Sequence, residues 1–259
     1  MTVYAFASAK GSPGVSTAAA AIAQSWPAPV VLADVDPAGG DLLWRSRTAT
    51  GGALDPDRGL LSLGAAVRRG AAQADLTEHL QQTALGTDVL VGITSPDQLP
   101  GLGAAWGQLP AVFHQHRSDV LVDCGRIVPG SAAMPVFAGA DVVVLVARPD
   151  ISGTAHLRER LRSLRTTLGI GGPGGKPVGI VVRTPYRDTR SAADLQQLLD
   201  AERMGVTVLG IVADEPKAAQ VLHGERMGQV RRTLLGRSAA QLAQRLVGVQ
   251  RPADLASGR

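Results

Sequence analysis

The chain has 259 residues and a mass of 26.7 kDa, with 45% hydrophobic and 19% charged residues, which suits one globular domain with a large core and excludes a disordered chain. No apolar run reaches the ~18 residues of a membrane-crossing helix, no basic stretch precedes an apolar core at the N-terminus, and the single cysteine, Cys124, excludes an internal disulfide or a cysteine zinc site, so the cytoplasm is the expected compartment. The net charge of +4 is a mild excess, and Lys10, Lys176 and Lys217 are the only lysines among 26 basic residues; the arginine surplus reads as GC-rich codon usage rather than a nucleic-acid footprint.

Along the chain, short β-branched runs at residues 3–7, 30–35, 89–93, 120–123, 142–146, 178–182 and 206–212 predict about seven strands. Several are apolar throughout, as parallel strands covered on both faces are. Helical stretches lie between many of them, including 17–25, 60–69, 156–168 and 192–204, with a last helix over 230–247. This alternation predicts an α/β fold: a doubly wound, mostly parallel twisted sheet with helices on both faces. Residues 47–59 read as a loop. The run 169–177, G-I-G-G-P-G-G-K-P, imitates a phosphate loop, but it enters a strand and has no Ser or Thr after Lys176, so it reads as a connector. One domain over 1–247 and a flexible tail over 248–259 are expected.

The first turn carries the chemistry. After the first strand comes A-K-G-S-P-G-V-S-T, residues 9–17, followed by the helix formers 18–23. A strand, a glycine-bearing turn and a helix start form an anion site, because free backbone N–H groups and the helix dipole both favour negative charge. Lys10, Gly11, Ser12, Gly14, Val15, Ser16 and Thr17 are its candidate residues. Ser16 or Thr17 can hold a phosphate-bound magnesium ion. The same pattern also serves an ordinary βα turn. Asp34, Asp36 and Asp123 stand at carboxyl ends of predicted strands, the ligand-binding edge of such a sheet; hard oxygen ligands suit Mg²⁺, while strand-end aspartates also simply cap turns.

The segment 9–17 resembles the deviant Walker A box of the ParA/MinD superfamily, [GA]-K-G-G-x-G-K-[ST]-T. Lys10 falls on the signature lysine, which the resemblance implies acts on nucleotide phosphates across a two-fold interface. Gly11, Gly14, Ser16 and Thr17 also match; Ser12 replaces a glycine and Val15 the P-loop lysine. Residues 31–37, V-L-A-D-V-D-P, resemble the D-x-D-P switch box. The extension Gly39-Gly40-Asp41-Leu42 is similar to that of CpaE/TadZ proteins, which position Flp pilus machinery. Residues 120–125, V-L-V-D-C-G, resemble the Walker B strand. Residues 140–150 resemble the following strand and loop, and 209–216, L-G-I-V-A-D-E-P, the late segment that borders the adenine.

The resemblance implies ATP and Mg²⁺ as cofactors, with Lys10 and Asp36 catalytic and Asp36 orienting the attacking water. Ser16, Asp36 and Asp123 would serve the metal, and Asp214, Glu215 and Pro216 would border the base. Arg183 stands where many members read the base with asparagine. Its plane can stack on adenine, or it is a solvated loop residue; both readings stay open, as for Tyr186.

Losing the lysine at position 15 removes charge-assisted hydrogen bonds of ~1.5–3 kcal/mol each. ATP binding should weaken by roughly one to two powers of ten, and hydrolysis further. His114-Gln115-His116 lacks a third metal ligand, Cys124 reads as a small buried residue, and the last helix carries an apolar stripe at 235, 239, 242 and 246 flanked by arginines, a packed helix or a weak membrane-binding one. Three functions follow. The first is a nucleotide-dependent homodimeric switch that positions a pilus or secretion assembly through a protein partner, recruited to a pole, membrane or nucleoid, with weak or absent hydrolysis. The second is a partition ATPase on nonspecific DNA, and the third is a nucleotide-free scaffold.

Overall fold

The computed structural model describes residues 1–10, 13–70, 74–226 and 228–249. Strand β1, Val3–Ser8, leads to α1, Val15–Gln24, and β2, Val30–Asp34. The short α2, Leu42–Arg45, and α3, Leu60–Gly70, precede the edge strands β3, Gln81–Gln82, and β4, Asp88–Leu90. Next come α4, Leu99–Leu102, α5, Leu109–Gln115, β5, Asp119–Arg126, and α6, Met134–Gly139. The second half alternates as β6, Val142–Ala147, α7, Ile151–Leu168, β7, Val178–Thr184, α8, Ser191–Ala201, β8, Thr207–Ala213, α9, Pro216–Leu222, and α10, Leu234–Val247.

Among the described residues the sheet has eight strands in the order β3-β4-β2-β5-β1-β6-β7-β8. All neighbours pair in parallel except β3 and β4. Seven strands stand where the sequence predicts them, although β4 ends at Leu90 rather than at residue 93; the eighth is β3, two polar residues with no apolar signature to read. Central β1 is buried throughout because helices cover both faces. Val3, Ala5 and Ala7 face the layer of α3, α5, α6, α7 and α8, while Tyr4 and Phe6 face α1, α9 and α10, the period-two alternation of a strand. The chain winds to one side of β1 through β5 and to the other from β6 onward, so the crevice at the carboxyl ends opens beside β1.

Three helices differ from expectation by more than two residues; the one expected over 192–204 already ends at Ala201. The helix expected from residue 156 begins at Ile151, because the Asp150 carboxylate accepts the Gly153 amide at 2.6 Å and caps it. The helix expected over 230–247 is a 3₁₀ turn, Val230–Arg232, followed by α10, whose N-cap Thr233 accepts the Gly236 amide at 3.0 Å. Leu235, Ala239, Leu242 and Leu246 of α10 are buried against α1 and β8, and Arg231, Arg232, Arg237 and Arg245 stay exposed. The stripe is therefore core, and a membrane-binding apolar face is not left on it. No helix among the described residues is long and apolar enough to cross a membrane. The run 169–177 is a turn joining α7 to β7. Of the expected tail, residues 250–259 lie outside the described residues.

Candidate functional site

The turn after β1 ends at Gly14, which has φ +80° and ψ 45° and caps α1 with no side-chain hydrogen bond. That left-handed conformation suits glycine, and a cap residue without a side chain does not compete for the amides at the start of α1, the arrangement in which a helix N-terminus takes an anion. Ser16 and Thr17 lie half-buried in the first turn of α1. Gly11 and Ser12 lie outside the described residues. Val15 is 6% exposed and belongs to the core beneath α1. Lys10 is exposed and, with Pro13, Arg148, Asp150 and Gly153, lines a cavity of about 200 Å³.

The three strand-end aspartates divide their work. Asp34 is fully buried; its Oδ1 accepts the Asp36 amide and its Oδ2 the Leu42 amide, each at 3.2 Å. It thereby pins both ends of the loop between β2 and α2. Burial, then the Asp123 charge, push its pKa well above the carboxylate range. Asp36 accepts the Ala38 amide at 2.8 Å, and burial raises its pKa. Asp123 Oδ1 accepts the Gly125 amide at 2.9 Å, while its buried Oδ2 has no hydrogen-bond partner. Burial pushes its pKa up to about 6 against the lowering effect of the nearby Ser16 side chain and the Gly125 amide, with the Asp36 and Asp41 charges adding to the rise. An unpartnered buried carboxylate oxygen costs about 1–3 kcal/mol or more, a penalty that a proton or a cation on that oxygen would relieve.

Across the turn, the Arg183 guanidinium packs on Gly14: a β-carbon at Gly14 would fall 2.5 Å from Arg183 Nη1. Arg183 Nη2 donates to Asp214 Oδ1 at 2.7 Å, and Arg148 Nη2 donates to Asp214 Oδ2 at 3.2 Å. The carboxylate thus joins the ends of β6, β7 and β8. Arg183 belongs to β7 and its side chain is 25% exposed, so it is not a solvated loop residue. Gly14, Thr17, Arg183, Val212, Glu215 and Leu235 border a cavity of about 10 Å³, room for one water at most. Glu215 Oε2 accepts the Leu235 amide at 3.0 Å, next to the N-cap of α10, and Pro216 opens α9. Tyr186 lies apart, half-buried, in an open groove with Trp26 and Arg237.

These residues fit a phosphate chain with magnesium. Ser16 and the unpartnered Asp123 oxygen are hard donors beside the helix start, and Mg²⁺ needs only one or two carboxylates when phosphates and waters complete its shell. Among the described residues no three His, Cys, Asp or Glu side chains converge as a cage. A purine does not fit the 10 Å³ cavity unless Arg183 moves. Elsewhere, His114 Nε2 meets Asp141 at 3.1 Å and its Nδ1 the Pro110 carbonyl at 2.7 Å, a structural bridge. Cys124 is fully buried and its thiol is pushed up by burial and by the surrounding carboxylates, which leaves it inert.

Arg148, the stapling role of Asp34 and the capping role of Glu215 escape a reading of the sequence. The signal for Arg148 was its place just before Pro149-Asp150 at a strand end; its partners lie on strands that only the sheet order brings together.

No protein-family model and no curated protein matches the chain. Solved structures do. A ParA family ATPase from Chlorobium tepidum superposes with a TM-score of 0.70 at 17% identity, over 94% of this chain and 98% of that one. The septum site-determining protein MinD from Pyrococcus horikoshii, complexed with Mg-ADP, gives a TM-score of 0.71 at 16% identity, over 100% of this chain and 99% of that one. A cobyrinic acid a,c-diamide synthase from Mycobacterium smegmatis, with bound ADP and magnesium, gives 0.67 at 18% identity, over 100% and 96%. At these identities the likeness is one of fold, and the chain is built on the P-loop α/β fold that ParA- and MinD-type ATPases share.

Proposed function

We propose that the chain is a nucleotide-responsive, dimerising switch of the ParA/MinD kind, binding ATP with Mg²⁺ and hydrolysing it weakly or not at all. The observation that carries this reading is the meeting, at one sheet edge, of the left-handed Gly14 turn, the Ser16 side chain and the buried, unpartnered oxygen of Asp123. In this reading the backbone around Gly14 to Thr17 cradles phosphates, and Ser16 and Asp123 serve the magnesium ion. Bound there, the ion neutralises phosphate charge. Asp36 orients water, and exposed Lys10 reaches phosphates on a second copy. The Mg-ADP and ADP–magnesium complexes of the similar structures support nucleotide and magnesium as the ligands.

The output is positioning or regulation of a cellular assembly through a protein partner. The extension Gly39-Gly40-Asp41-Leu42 and the valine at position 15 favour a CpaE/TadZ-like role on pilus or secretion machinery. Trp44, 63% exposed on α2 just after that extension, offers a partner an apolar anchor. Equilibrium binding of a fluorescent ATP analogue tests the reading. Saturable binding that requires magnesium and weakens in Asp123→Asn is expected. No binding with or without magnesium overturns it and leaves a nucleotide-free scaffold.

A further inference from the structure

We propose that Arg183 supplies the phosphate-binding charge that a P-loop lysine would place at position 15; the assignment rests on the nucleotide-switch reading above. A P-loop lysine reaches the β- and γ-phosphates from the residue after the turn's last glycine. Here that residue is Val15, sunk in the core. The charge at the turn comes instead from the end of β7. Arg183 Nη1, Cζ and Cδ would lie 2.5, 3.2 and 3.5 Å from a β-carbon on Gly14, so the outer half of the side chain runs along the turn. Only a glycine at 14 permits this approach. Gly14 itself caps α1, so the guanidinium stands beside the helix start where a phosphate would sit.

The side chain is held in place. Asp214 engages Nη2 at 2.7 Å, and Nη1 is the nitrogen turned onto Gly14. Arg148 shares the same carboxylate at 3.2 Å, so Asp214 is divided between two guanidinium groups and does not neutralise Arg183 alone. A guanidinium is always charged and offers a planar fork that matches phosphate oxygens. A charged planar fork beside a helix start suits the polyphosphate of a nucleoside di- or triphosphate, so the ligand is read there through its phosphates.

Calorimetric titration with two probes, ATP–Mg²⁺ and inorganic tripolyphosphate–Mg²⁺, tests this on the full chain. Arg183→Gln should weaken both probes by roughly tenfold or more, and adding Val15→Lys to that variant should restore most of both. Circular dichroism establishes that each variant is folded, and Arg183→Lys, which keeps the charge, should keep most of the binding. Weakening of ATP alone would mean that Arg183 serves the base, and unchanged or tighter binding would mean that it is idle or obstructive; each overturns the proposal, as does a folded double variant that recovers nothing. A wild type that binds neither probe defeats the switch reading itself. A wild type that binds while Arg183→Gln binds equally well defeats only the assignment of Arg183.

Discussion

The Asp36 carboxylate rests on the α-carbon of Gly125, where a β-carbon would fall 2.1 Å from it. Gly125 has φ +60°, at the point where β5 shifts register against β1. The end of β5 is thereby shaped to receive the residue proposed to orient water. Gly125→Ala meets both the positive φ and the carboxylate, so it should destabilise the chain by about 1–3 kcal/mol. A thermal melt checks this, and an unchanged midpoint would contradict the packing.

Burial makes the carboxyl edge sensitive to pH. The folded pKa of Asp123, about 6, lies above its ordinary value of 3.8, so between the two the folded chain holds a proton that the unfolded chain releases. This contribution to stability is complete below about pH 4 and is lost as pH rises through about 6. Asp34 is shifted in the same direction. Asp123→Asn removes the charge but keeps the shape, so without nucleotide it should melt above the wild type near neutral pH. The gap should close as pH falls towards about 4. A set of melts across that range checks the sign, and a wild-type advantage that grows with pH would contradict it.

Val15→Lys has a cost and a gain. The valine is 6% exposed, and replacing it gives up ~1–2 kcal/mol of burial, partly offset because a lysine stem can run along the apolar surface to reach solvent. The new ammonium should tighten ATP binding about tenfold or more and raise turnover. Binding and phosphate-release assays on both proteins check this. A folded variant that binds no tighter would mean that the turn is not shaped as a P-loop.

Lys10 stands exposed beside the cavity it shares with Arg148 and Asp150. Lys10→Ala should leave the melting midpoint nearly unchanged, since exposed side chains away from special features contribute within about 0.5 kcal/mol. It should nevertheless abolish nucleotide-dependent association, measurable by sedimentation velocity. Wild-type association in the variant would remove Lys10 from the interface.

Much of this was legible because it is local. Continuous apolar runs mark buried parallel strands, and the order strand, glycine turn, helix marks the turn proposed to bind phosphate, so seven strands and the placement of Gly14, Ser16 and Thr17 at one turn follow from neighbouring residues. The Arg148–Asp214–Arg183 cluster was not legible, since Arg148 and Asp214 lie 66 positions apart and meet only because β6, β7 and β8 are adjacent. Likewise the position of Arg183 in the chain leaves it open between a base-stacking residue and a solvated loop residue, whereas its side chain turns to the Gly14 turn, where Gly14 leaves room and Asp214 holds it. Side-chain direction and strand adjacency are tertiary facts that spacing does not encode.

Static light scattering of the wild-type chain with and without ATP–Mg²⁺ tests the central claim most directly. A nucleotide-responsive switch predicts a mass near 26.7 kDa without nucleotide and about twice that with it, because a two-fold interface closes over the two sites. A mass that is the same in both conditions, at nucleotide concentrations that saturate binding, would contradict it.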